Sequence, residues 1–207
     1  MSLDILEIDE SKQYWVNQEF ISQKTRDALI SADVIIAPML NFREDVEVSF
    51  HQGTLSFFNY LHENLETKSL KAVVCSPDDE YYEIALHSKE YRFSKIIINS
   101  AVAPIILGLL TSYIYDELKA KPEDKLNTSI VIEFNDCKTY KLDFDGKASD
   151  FPSVIDKIKE LTESCNNKNS IKDDFNYNQR LLEEEKEIEE NIIEDEDSDV
   201  RFTWGFM

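Results

Sequence analysis

Three short apolar runs constrain this chain most: DVIIAPM (33–39), KAVVCSP (71–77) and FSKIII (93–98). Each has a β-branched centre without polar alternation and is bounded by charge or by a proline turn, which is how a strand covered on both faces reads. Between the first two lies GTLSFFNYLHENL (53–65), where Leu55, Phe58, Leu61 and Leu65 recur at spacings of three or four, the mark of an amphipathic helix. EYYEIALHS (80–88) fits a further helix, and Phe20, Ile21, Ala28, Leu29 and Ile30 fit one within 18–31. LDILEI (3–8) alternates as a first strand, and the mixed-charge stretch Asn41–Ser49 reads as a polar loop. Strand alternating with helix predicts an α/β fold with a mainly parallel, Rossmann-like sheet and right-handed crossovers.

The pattern changes in the second half. SIVIEF (129–134) and TYKLDF (139–144), separated by NDCK, predict a β-hairpin. Asp150 can cap a following helix with Pro152 in its first turn and Val154, Ile155, Ile158 and Leu161 as its stripe. The expected organisation is an α/β domain over 1–165, within which 104–165 forms a possible α+β subunit. A polar linker and acidic tail follow over 166–207.

Twenty residues from Ile96 to Tyr115 carry no charge, about the length that spans a bilayer. Asn99, Ser100, Pro104, Gly108, Thr111 and Ser112 interrupt them, and the stretch divides into a strand, a turn and a helix starting near Pro104. Strand plus buried helix is therefore expected in preference to a membrane span. Cys75, Cys137 and Cys165 are an odd, scattered set without metal-ligand spacing, and Cys75 lies in an apolar run as a buried thiol. With Asp4, Glu7, Asp9 and Glu10 early in the chain, unlike a signal peptide, a cytoplasmic location is expected.

Forty-two acidic residues against 22 basic ones give a net charge of −20. That balance repels nucleic acid and anionic membranes and favours a basic protein partner. Residues 172–207 hold 13 acidic and 4 basic side chains, and RFTWGFM (201–207) then places Phe202, Trp204 and Phe206 alternately. In an extended segment those three rings point to one side, where they can add a strand to the chain's own sheet edge or fill pockets on a partner.

Candidate ligand contacts gather after two of the strands. Gly53-Thr54 at a helix start can offer backbone N–H groups to a phosphate or sugar, and Ser76, Asp78 and Asp79 follow the Val73–Val74 strand. Of the dispersed His51, His62 and His87, His51 is the acid/base candidate, with Asp78 beside it if the chain is an enzyme. ADVIIAPM (32–39) followed by FHQGTLSFF (50–58) distantly resembles nucleoside 2-deoxyribosyltransferases over about 30 residues. The likeness implies a carboxylate nucleophile about four residues past the Gly-Thr, where this chain has Phe57 and Phe58. No P-loop, GxGxxG, GxSxG or HExxH occurs, and with four glycines in the chain no cofactor and no metal is expected.

The layout of residues 101–165 loosely resembles accessory components encoded beside effectors in bacterial conflict systems. The leading expectation is a non-catalytic regulatory protein that binds a partner through its acidic surface and tail, as an accessory or inhibitor component of a defence or toxin system. Two alternatives stand beside it: a nucleotide- or nucleoside-processing enzyme using His51–Thr54 and Ser76–Asp79, and a DNA mimic whose carboxylates imitate phosphates.

Overall fold

A computed structural model describes residues 1–85, 90–134 and 138–162. Residues 1–162 form one compact unit. In chain order its elements are β1 (Ser2–Ile8), α1 (Lys12–Val16), α2 (Gln23–Ile30), β2 (Val34–Ala37), β3 (Met39–Arg43), β4 (Val46–His51) and α3 (Thr54–Glu66). Then come β5 (Ala72–Val74), β6 (Glu83–Ile84), β7 (Glu90–Arg92), β8 (Lys95–Asn99) and α4 (Ala103–Ser112), which runs into a π-helical turn at Tyr113–Glu117. The long strands β9 (Lys125–Glu133) and β10 (Thr139–Lys147) and a 3₁₀ turn at Ala148–Asp150 lead to a helix over 152–162, called α5.

The main sheet has the order β1-β10-β9-β8-β2-β5, with β7 also paired to β9. It is mixed, where the sequence predicts a mainly parallel sheet: β2–β5, β8–β9 and β7–β9 run parallel, while β1–β10, β10–β9 and β2–β8 run antiparallel. Two of the antiparallel pairs come from β1 and the β9–β10 hairpin; the third, β2–β8, traces to residues 80–85. A parallel return to the sheet needs a crossover element between strands, usually a helix. Here the expected helix is extended chain instead: Phe50 N–H donates to Tyr82 O at 2.8 Å, Gln52 N–H donates to Ile84 O at 3.2 Å, and Tyr81 stacks on Phe50 with ring centroids 4.9 Å apart. The open edge of β4 supplies backbone partners that outweigh a helical periodicity. The expected loop at Asn41–Ser49 is likewise structured, as the hairpin β3–β4 of a small second sheet ordered β3-β4-β6.

β2 is buried at all four positions, as its unbroken apolar run requires. Ile35 and Ala37 of β2 share one face with Ile97 of β8 and Val131 of β9, packed with Trp15, Val16 and Leu29 of α1 and α2 and with Cys75. Alternation sends Ile36, Ile96, Ile98, Ile130 and Ile132 to the other face, and these too are buried. Ile36 there meets a cavity shared with Phe57 of α3 and Tyr113 of the π turn. The uncharged stretch Ile96–Tyr115 resolves into β8, a turn and α4, whose Ala103, Ile106, Leu107 and Leu110 are buried. No described helix is long and apolar enough to cross a membrane.

One irregularity positions everything that follows. β7 pairs with β9 up to Arg92↔Asn127, and β8 resumes at Ile96↔Ile130. Phe93, Ser94 and Lys95 thus stand against only Thr128 and Ser129. This is a bulge in a parallel pair, a rare arrangement of the kind that redirects side chains beside functional sites.

Candidate functional site

The bulge frees Ser94 from the ladder, and its hydroxyl turns to the end of β4. His51 N–H donates to Ser94 Oγ at 3.0 Å, and Thr54 Oγ1 donates to His51 O at 2.7 Å. Thr54 and Ser94 hydroxyls lie 2.8 Å apart. Since the single Thr54 proton is committed to His51 O, Ser94 is the donor in that third bond. The three bonds close a ring that clamps His51 by both its backbone N–H and its C=O. Ser94 and Thr54 are each 4% exposed, so the ring is dry.

Gly53 caps α3 with φ of 89°, a left-handed conformation that suits glycine. Two of the N–H groups at this helix start, those of Gly53 and Leu55, are occupied. Glu83 of β6 accepts from Gly53 N–H at 2.9 Å through Oε2 and from Leu55 N–H at 2.8 Å through Oε1. Tyr81 O–H adds a third bond to Glu83 Oε1 at 2.8 Å, and burial followed by this carboxylate pushes the Tyr81 phenol upward. A carboxylate does stand at this helix start, then, but it is delivered by β6 and acts as the cap.

His51 lines two cavities, as does Phe93. The first cavity, about 330 Å³, lies on the α3 face. Phe57, Phe93 and Tyr113 form its aromatic wall, with Phe57 5.5 Å from Phe93 and 5.0 Å from Tyr113 between ring centroids. Arg92 and Glu90 line its polar side. Arg92 Nη2 bonds Glu90 Oε2 at 2.7 Å, and Lys125 Nζ lies 3.3 Å from Glu90 Oε1. The hydrogen bond from Lys125, then that from Arg92, holds Glu90 below the usual carboxylate range. Burial, helped by the Arg92 charge, lowers the His51 pKa from 6.5, so the imidazole is neutral at pH 7.

The second cavity, about 370 Å³, opens on the α1 face, where Lys95, Asn127, Ser129 and Lys141 project beside Trp15. Lys95 Nζ bonds Glu10 Oε1 at 2.6 Å and sits 5.5 Å above the Trp15 ring. Lys141 Nζ lies 2.7 Å from Asp143 Oδ2. Among the described residues five buried side-chain polar atoms lack a hydrogen-bond partner: Trp15 Nε1, His51 Nδ1, Arg92 Nε, Thr128 Oγ1 and Ser129 Oγ. Four of the five belong to residues lining these two cavities, and the fifth is in the gap of the bulge. Buried polar groups are nearly always paired, so the clustering singles out this region.

The remaining sequence candidates lie elsewhere. Asp78 is exposed and accepts from Thr25 Oγ1 at 2.7 Å; hydrogen bonds from Ser22 and then Thr25 hold its carboxyl below the usual range. It tethers a loop to α2. Ser76 is half-buried and Asp79 exposed, and neither lines a His51 cavity. Phe57, one of the two phenylalanines standing where the resemblance implies a carboxylate, is buried against Phe93. Phe202, Trp204 and Phe206 lie outside the described residues. Trp15, Arg92, Lys95, Ser129 and Lys141 escaped the sequence reading; the one available signal was Asn127-Thr128-Ser129, a polar run directly before the apolar Ile130–Ile132 of the same strand. No grouping of three or more His, Cys, Asp or Glu among the described residues could hold a metal.

Comparison with known proteins finds no matching family, no matching curated protein and no matching solved structure.

Proposed function

We propose that this chain is a cytoplasmic, non-catalytic interaction protein that engages a basic protein partner through its acidic surface and tail, in an accessory or inhibitory role of the kind found in bacterial defence and toxin systems. The observation that carries the reading is the charge profile: net −20 overall, with 13 of the 42 acidic residues between 172 and 207 beside an alternating aromatic tip. A field of that sign speeds encounter with a cationic surface, and aromatic anchors supply the desolvated contacts that hold it. The commitment of Glu83 to capping and of Asp78 to tethering is compatible with it. The test is affinity capture from host lysate with the full chain and with a chain ending at residue 171, read by mass spectrometry. A basic partner lost with the tail supports the proposal; a partner held equally by both chains refutes the tail's part in it.

The unpartnered polar atoms around His51 favour a second reading, a protein that binds or processes a nucleotide-like molecule between the aromatic wall and the bulge. A nucleotide panel that raises the melting temperature, with the rise abolished in His51→Ala, would support it. No shift across the panel would count against it.

A further inference from the structure

We propose that the cavity on the α1 face binds the phosphate group of a small phosphorylated molecule. Its lining is donor-rich: the Trp15 indole N–H and the two lysine ammonium groups can only donate, and the Asn127 amide and Ser129 hydroxyl can do so. These groups come from separate elements, α1, β8, β9 and β10, and converge where the bulge leaves Ser129, paired with Asp143 on its β10 side, without a ladder partner on its β7–β8 side. Trp15 is 2% exposed, yet its N–H has no partner among the described residues. Ser129 Oγ and His51 Nδ1 are in the same position at the same cavity.

The unpaired donors select the class of ligand. Lys95 and Lys141 each face one carboxylate, Glu10 and Asp143, so this lining is balanced in charge within a chain whose net charge is −20. A charge-balanced lining whose remaining N–H and O–H groups are donors suits an anion held by short-range hydrogen bonds and not by net charge. Glu10 already presents a carboxylate to Lys95, so the lining has its own planar acid. The unmatched donors call for the several oxygens of a phosphate. At about 370 Å³ the cavity exceeds what the phosphate alone would fill, and the exposed ring of Tyr14 at its edge leaves room for the group that carries it.

This assignment stands apart from the tail-dependent reading and needs no turnover, so its failure leaves that reading intact. The test uses the full chain labelled with ¹⁵N, following the indole N–H signals of its two tryptophans, with Trp15→Phe to assign them. Inorganic phosphate, a nucleoside monophosphate and acetate are titrated at matched ionic strength. The expected result is a saturable shift of the Trp15 indole with either phosphate compound and none with acetate. Lys141→Gln and Ser129→Ala should each weaken binding about tenfold, the fold-change of one charge-assisted hydrogen bond. Their backbone spectra report that both are folded. A stronger response to the nucleotide identifies a nucleotide as the ligand, and an equal response identifies free phosphate. An unmoved Trp15 signal, an equal response to acetate, or undiminished binding in both variants would overturn the proposal.

Discussion

The hydroxyl ring at His51 makes a prediction that can be worked bond by bond. Thr54→Val keeps shape but removes two hydrogen bonds, Thr54 to His51 O and Ser94 to Thr54, and strands the His51 carbonyl. Ser94→Ala also removes two, His51 N–H to Ser94 and Ser94 to Thr54, and strands the His51 N–H. At about 1 kcal/mol net for each buried bond, either substitution should cost about 2 kcal/mol. The double variant loses three bonds, because the central one is shared. Its cost should be about 3 kcal/mol, short of the additive sum by about 1 kcal/mol, a coupling typical of side chains in direct contact. Urea unfolding of the wild type, both singles and the double, with unchanged slope, measures all four stabilities. Single costs below about 0.5 kcal/mol, the range of surface substitutions, would refute the buried ring. An additive double would refute the shared bond.

Three further outcomes follow from the same region and the core. Gly53→Ala meets no atom within 4 Å of the new Cβ, so its cost is backbone strain alone at φ of 89°, about 1–2 kcal/mol by thermal unfolding. His51, neutral in the folded chain, should titrate by NMR below 6.5, and Arg92→Gln should move its midpoint upward while leaving it short of 6.5, because burial is the larger cause. A depressed folded pKa means that the unfolded chain takes up the proton first, so this contribution to stability is present above pH 6.5 and is lost as pH falls through the folded value. The Cys75 thiol, pushed up to about 12 by burial, should resist alkylation in the native chain and react on unfolding, as site-resolved mass spectrometry would show. Its raised pKa makes stability fall as pH rises from about 9 toward 12, since the unfolded thiol ionises first.

Legibility in the sequence followed how local each cause is. β2, β5 and β8 declared themselves because a strand buried on both faces must be apolar throughout, and the long hairpin β9–β10 because its partner is the next segment along the chain. The region 80–85 misled because EYYEI satisfies a helical period, while its conformation is decided by an edge of β4 some thirty residues away. β3 and β4 were hidden behind charged residues that a two-stranded edge tolerates on its solvent side. Of the site, His51 was legible as a histidine in a loop before a helix start. Its neighbours were not, because Arg92, Ser94 and Lys95 look like the approach to one strand, FSKIII. Only the pairing with β9 reveals that the strand breaks there.

The bulge also explains why one histidine serves two cavities on opposite faces of a sheet. An unbroken β7–β8 strand would keep Ser94 in register and hold Phe93 and Lys95 on a single face by alternation. With three residues against two, alternation slips: Phe93 lines both cavities, Lys95 stays with the α1 face, and Ser94 is released to fasten the end of β4. His51 is thereby fixed by its backbone at the gap while its ring remains free on Nδ1. A clamped backbone with a ring nitrogen that has no partner among the described residues is the division of labour expected of a binding residue: the main chain sets position, and the ring is left for whatever enters. Restoring regular pairing by deleting one residue between Phe93 and Lys95 should therefore remove both cavities together while sparing the strands that carry them.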